Sequence, residues 1–230
     1  MKTIGLIGGL SWESSAVYYR IINELVRDKA GGTHSAKSIM YSVDFGEFEK
    51  LQHQGDWEKL TELMIDAGMR LKNGGADFIV ICTNTMHKMA EAVESQVGIP
   101  VLHIADAAAD EVKKRGLRKV ALLGTKFTME QDFYKGRLAQ KHGIEVVIPD
   151  VDEREVIHSV IYHELVLGKI LESSRQSFVK IIDHMNSLGA EGVVLGCTEI
   201  PLLIRQKDCI VPIFDTTQIH ATAAVEFALR

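Results

Sequence analysis

An internal repeat constrains this chain more than any other feature. Ile4-Gly5-Leu6-Ile7-Gly8-Gly9 returns as Val120-Ala121-Leu122-Leu123-Gly124-Thr125, with Val120 standing 116 residues after Ile4. Gly75-Ala76-Asp77-Phe78-Ile79-Val80-Ile81-Cys82-Thr83-Asn84 returns as Gly189-Ala190-Glu191-Gly192-Val193-Val194-Leu195-Gly196-Cys197-Thr198, 114 residues on. Ile99-Pro100-Val101-Leu102 returns as Val211-Pro212-Ile213-Phe214, 112 residues on. The three pairs keep their order and nearly their spacing, so the chain reads as two copies of one unit.

Each repeated segment is a short Val/Ile/Leu-rich run ending in Gly, Thr or Asn, which is the pattern of a buried strand. Strands are predicted at 3–7, 37–43, 78–82, 100–104, 119–123, 144–148, 192–196 and 211–214. Helices are predicted at 13–28, 56–73, 86–96, 106–115, 130–142, 152–166, 173–188 and, at the end, 216–229. Strands alternating with helices predict an α/β fold: two similar Rossmann-like domains with parallel sheets, related by the repeat. The expected division is 1–105 plus 211–230 for the first domain and 106–210 for the second, with the terminal helix packing back on the first. Ligands of such sheets bind beyond the carboxyl ends of the strands, so the active site is expected in the cleft between the halves.

Charge and cysteine usage narrow the function. A net charge of −5 and a pI near 6.0 leave no basic footprint for nucleic acid. The run Lys113-Lys114-Arg115 reads as a solvated helix end. No apolar run reaches the ~18 residues of a membrane span. Met1-Lys2-Thr3 leads straight into Ile4 without a secretory apolar region, so a cytoplasmic location is expected. Three cysteines, Cys82, Cys197 and Cys209, suit a reducing compartment better than a disulfide framework. No Cys-x-x-Cys occurs and the nine histidines are scattered, so no metal site is expected.

Chemistry should lie at the strand ends. Gly8-Gly9-Leu10-Ser11 allows close backbone approach to a ligand, and the helix start beyond it offers N–H groups to an anion. It is neither a dinucleotide fingerprint nor a P-loop. Cys82-Thr83-Asn84-Thr85-Met86-His87 crowds polar groups where a strand ends; Asn84 or Thr85 could serve as a plain N-cap. Its repeat partner, Gly196-Cys197-Thr198-Glu199-Ile200-Pro201, ends in a thiol, whose position before a helix predicts a lowered pKa. The alignment of the halves puts Thr83 opposite Cys197. Cys82, one residue earlier, should face away.

These three turns, together with a fourth at Leu123-Gly124-Thr125-Lys126-Phe127-Thr128, resemble those of the aspartate/glutamate racemase superfamily, and closest the amino-acid racemase branch. The resemblance covers essentially the whole chain. It implies an isomerase that needs no pyridoxal phosphate, no other cofactor and no metal, forms a homodimer, and moves the Cα proton of a small, possibly acidic amino acid between two bases. Carried over by position, Thr83 and Cys197 are the catalytic pair. Leu10, Gln52, Asn84, Thr85, Thr125, Thr128, Thr198 and Glu199 are substrate-binding candidates, Glu199 serving either the ammonium group or the thiol. The chain departs from the family at Thr83, where most members have cysteine, and the unlike pair predicts unequal catalysis in the two directions.

Side-chain recognition is less legible. Ile161-Tyr162-His163-Glu164-Leu165 and Leu51-Gln52-His53-Gln54 offer no Lys or Arg for a distal carboxylate. Two alternatives stay open: a single-cysteine decarboxylase of the same superfamily, and a non-catalytic amino-acid-binding protein.

Overall fold

The computed structural model describes all 230 residues, Met1–Arg230. It opens with β1 (Ile4–Gly8), every residue of which is buried. There follow α1 (Trp12–Ala30), β2 (Ser38–Ser42), α2 (Phe45–Gln54), α3 (Trp57–Asn73), β3 (Phe78–Ile81), a 3-10 turn at Thr85–Met89, α4 (Ala90–Val97) and β4 (Val101–Leu102). All pairings are parallel, in the order β2-β1-β3-β4.

The continuous apolar runs arise because helices cover both faces of this sheet. Period-two alternation divides its strands. Ile7, Ile79 and Ile81 pack with Phe48, Leu60, Met64 and Val93 on one face. Ile4, Leu6, Phe78, Val80 and Cys82 pack with Tyr18 and Ile22 on the other. Ala221, Ala224, Val225 and Ala228 complete that second face, and Lys2 N–H donates to the Ala228 carbonyl at 2.8 Å.

The second unit repeats the plan. It contains α5 (Ile104–Lys114), β5 (Lys119–Gly124), α6 (Lys126–Glu130), α7 (Asp132–His142), β6 (Glu145–Val147), α8 (Val151–His163), α9 (Glu172–Ser187), β7 (Gly192–Gly196), α10 (Ile200–Leu203) and β8 (Ile213–Asp215). The parallel order β6-β5-β7-β8 matches the first sheet strand for strand. Its core gathers Leu123, Met129, Ile161, Phe178, Ile182, Leu195 and Ile200. The last helix, α11, spans Thr216–Leu229.

All eight expected strands are present. The boundary is corrected: the first unit comprises Met1–Ile104 and His220–Arg230, the second Ala105–Ile219. Residues 211–219 had been expected in the first domain. They belong to the second because β8 pairs with β7, Val193 facing Ile213 and Leu195 facing Asp215. Three short helices, α2, α6 and α10, escaped the periodicity. α2 is short and mostly polar, and its Asp44 N-cap accepts from Gly46 N–H. The segment expected as a helix from 86 begins as the tighter 3-10 turn.

Candidate functional site

In the first unit, β1 and β3 lie side by side, Ile7 facing Ile81, so the turns that follow them leave the same edge. The Gly8-Gly9 turn is tight. Gly9 adopts φ +84°, and a Cβ there would stand 2.1 Å from the Val43 carbonyl oxygen. Its N–H donates to Ser15 Oγ at 2.8 Å, and Ser15 Oγ–H donates to the Ser11 carbonyl. Ser11 caps α1, accepting from Ser14 N–H. Leu10 is buried in the core against Met86 and Phe48, and Gln52 is buried on α2.

The Thr83 turn is held by side chains. Ser14 Oγ–H donates to the Cys82 carbonyl at 3.2 Å, and His87 Nδ1 bonds the Thr83 carbonyl at 2.8 Å. Asn84 and Thr85 are buried while Thr83 is half-buried. Asn84 occupies the N-cap position of the 3-10 turn without making a side-chain capping bond, so capping does not account for it. Cys82 is fully buried in the α1-side core, where burial drives its thiol pKa far up.

Behind this turn stand three buried histidines, which no sequence spacing links. His87 and His103 have ring centroids 4.7 Å apart, and His87 and His220 5.4 Å. Ile104 N–H donates to His87 Nε2 at 3.1 Å. His220 Nε2 bonds the Leu102 carbonyl at 2.8 Å, and its Nδ1 meets Tyr18 Oη at 2.9 Å. A carbonyl only accepts and an amide N–H only donates, so His87 carries its proton on Nδ1 and His220 on Nε2. Both are neutral. Burial holds His87 well below the usual histidine range, helped by His103 and His220. Burial brings His220 to about 4.

In the second unit, β5 and β7 end level, Gly124 facing Gly196. A Cβ on Gly124 would stand 2.8 Å from the Gly196 carbonyl oxygen, and one on Gly196 would meet Thr128 Cγ2 at 3.2 Å. The two glycines thus bring the Thr125–Thr128 turn against the Cys197–Glu199 turn. Thr125 caps α6, and its Oγ1 lies 3.3 Å from Thr128 Oγ1. Cys197 Sγ donates to Glu199 Oε2 at 3.0 Å, and Thr198 Oγ1 donates to the same oxygen at 2.8 Å.

The expected low pKa of Cys197 is reversed. Burial raises it well above the usual thiol value, and the charge and hydrogen bond of Glu199 raise it further. The N–H groups of Thr198 and Glu199 oppose this without prevailing, and α10 is only four residues long. Cys197 is therefore a protonated thiol beside a carboxylate.

The basic groups sought for a distal carboxylate are absent from those two segments. His53 is exposed near Glu49 of its own helix, and exposed His163 bonds the Ser159 carbonyl. The cation nearest in sequence to the Thr125 cap is Lys126, ion-paired with Glu155.

Two parallel sheets of identical order, each with polar turns at its carboxyl edge and one with a buried thiol–carboxylate pair, define a duplicated α/β protein equipped for proton transfer. The sequence profile of the Asp/Glu/Hydantoin racemase family matches residues 7–224, and the chain belongs to that family. It is thus an isomerase of the amino-acid racemase type. A crystal structure from Yersinia pestis, of a protein proposed to be an Asp/Glu racemase, is 53% identical over the full length of both chains with a TM-score of 0.95. An aspartate racemase homologue from Pyrococcus horikoshii is 40% identical, again over both full chains, with a TM-score of 0.87. The broad specificity amino-acid racemase RacX of Bacillus subtilis is 23% identical over 178 residues, covering 74% of this chain and 73% of its own. No helix is long and apolar enough to cross a membrane.

Proposed function

We propose that the chain racemises a small amino acid, an acidic one among the candidates, by a two-base route in which Cys197 and Thr83 serve opposite faces of the same Cα. The observation that carries this reading is the Cys197 Sγ–Glu199 Oε2 bond of 3.0 Å. Glu199 takes the thiol proton, and the thiolate takes the Cα proton of one enantiomer. The Thr83 hydroxyl returns a proton to the other face and is itself reprotonated from water, to which its half-buried position gives access. Asn84, Thr85, Thr125, Thr128 and Thr198 hold the substrate, their donors stabilising the α-carboxylate and the enolate-like charge that develops on it. Leu10 and Gln52 complete the proposed substrate wall.

An alkanol is a far weaker acid than a thiol, whose ordinary pKa is about 8.5, and acid–base catalysis wants a pKa near the working pH. Enantiomers have equal free energies, so kcat/KM must be equal in the two directions. The inequality of the pair is therefore expressed in the separate kcat and KM values, and in Cα exchange without inversion.

The test is deuterium incorporation at Cα in D₂O, followed by NMR for pure L and pure D amino acids. The enantiomer facing Cys197 is expected to exchange faster than it inverts, and Cys197→Ala to abolish the exchange. Equal exchange and inversion for both enantiomers would sink the unequal-pair reading. The single thiol also suits a decarboxylase. Release of CO₂ from an arylmalonate, with no Cα exchange in any amino acid, would replace the proposal with that one. Binding of an amino acid with neither reaction would point to a non-catalytic protein.

A further inference from the structure

We propose that His87 is a positioning residue for Thr83, its imidazole fastening the Thr83 carbonyl to the backbone N–H of Ile104. The proposal deepens, and rests on, the reading of Thr83 as the second acid–base group.

The backbone leaves this task to a side chain. The His87 N–H is used on the Asn84 carbonyl at 3.1 Å, which starts the 3-10 turn one residue after Thr83. The Thr83 carbonyl is met instead by His87 Nδ1. The preceding carbonyl, of Cys82, is met by Ser14 Oγ. Two successive peptide units are thus fixed from behind by side chains, and the Thr83 side chain stands on the pair. A hydroxyl that works only as a rare acid needs this restraint more than a thiol does, because misplacement by about 1 Å can cost about a hundredfold in rate.

The far end of the imidazole is equally fixed. Ile104 is the last residue of the first unit before the chain crosses into the second, and His220 is the first after it returns. His220 holds the Leu102 carbonyl, two residues before Ile104. The Thr83 turn is therefore tied through His87, with His220 alongside, to both points where the chain changes unit. With each nitrogen of His87 and His220 already bonded, neither ring has a lone pair to offer a metal.

The experiment compares His87→Gln, His87→Asn and Thr83→Ala with wild type. An Asn amide can replace the Nδ1 donor to Thr83; a Gln amide reaches the Nε2 position and leaves the Thr83 carbonyl unmet. H87Q is expected to lower kcat at least about tenfold with KM nearly unchanged, and to leave Cα exchange of the enantiomer facing Cys197 within about twofold. H87N is expected to keep kcat within about threefold. Equal losses in H87Q and H87N, or wild-type kcat in H87Q, would overturn the proposal. If H87Q does not fold, a kcat of H87N more than about tenfold below wild type overturns it. Imidazole ¹⁵N NMR of wild type must show the Nδ1–H form of His87; the Nε2–H form overturns the tether independently of turnover. If Thr83→Ala leaves kcat intact, the reading of Thr83 fails and the positioning role with it. If T83A abolishes racemisation while H87Q matches wild type, only the His87 proposal fails.

Discussion

Cys197 and Glu199, two residues apart, share a proton line of 3.0 Å that makes the thiol a weaker acid, not a stronger one. Burial comes first among the causes and the carboxylate second. Glu199→Gln removes the negative charge and with it the proton acceptor. The thiol of E199Q should titrate at lower pH than that of wild type, read from the pH profile of iodoacetamide alkylation. Racemisation should nevertheless fall at least about tenfold, because thiolate formation loses its positioned base. A thiol that titrates higher in E199Q would contradict the assignment.

Thr83→Cys puts a thiol at the position that the repeat aligns with Cys197. A group with an ordinary pKa near 8.5 replaces one that ionises only rarely. The expected result is a rise in kcat of about tenfold or more and a loss of the difference between exchange and inversion. Steady-state rates from each pure enantiomer, with deuterium content of the product, check it.

The histidine cluster predicts a stability slope. His220 falls from 6.5 to about 4 on folding, so the unfolded chain binds more protons throughout that window. Its contribution is fully present above about pH 6.5 and is lost as pH falls toward 4, a total of ~3 kcal/mol. His87 shifts in the same direction. The urea midpoint should therefore drop between pH 7 and pH 5, and His220→Gln should flatten that drop. An equal slope in H220Q would show that other groups carry the dependence.

Gly9→Ala tests the first turn. The backbone is in the left-handed region at φ +84°, and the added Cβ would overlap the Val43 backbone. The strained conformation alone costs ~1–3 kcal/mol, and the overlap with immobile backbone adds to it. Thermal melting should show a clear fall in Tm or loss of soluble protein.

Asp106 on α5 accepts from Arg137 through two bonds of 2.7 and 2.8 Å, and from Lys141 and His142 on α7. Burial alone would raise its pKa, but these donors outweigh it and hold the carboxyl far below the usual range. The ionised form is therefore the stabilising one above an ordinary carboxyl pKa, and the contribution fades on acidification. Asp106→Asn should cost about 2 kcal/mol at neutral pH, below the figure for a fully buried pair because the site is partly open. Denaturant melts at two pH values check it.

The architecture was legible because the repeat is written in strand-end residues. Gly9, Gly124 and Gly196 each mark a place where backbone must come close, and local pattern alone reveals that. The limits lie where tertiary burial overrides local rules. Cys197 sits before a helix, which by itself lowers a thiol pKa, yet burial and the Glu199 carboxylate reverse the sign. The repeat ends near 211 and so points to a return of the chain there, whereas the pairing of Ile213 with Val193 keeps that strand in the second sheet. His87, His103 and His220 meet only through the fold, since no periodicity joins positions so far apart. Lys126 lies within the Leu123–Thr128 turn, but its pairing with Glu155, on another helix, arises only through the fold.

The terminal helix gives the chain an order of assembly. The core face formed by Ile4, Leu6, Phe78 and Val80 is closed by Ala221, Ala224, Val225 and Ala228. A ribosome delivers about 5–20 residues per second, so the segment Ala105–Ile219 takes on the order of ten seconds to emerge after the first sheet is made. During that interval the earliest-made unit waits with an apolar face uncovered, while the later-made unit already has all of its strands. The portion of the protein born first is thus the portion finished last, and nascent chains stalled before residue 220 would be natural clients for chaperones.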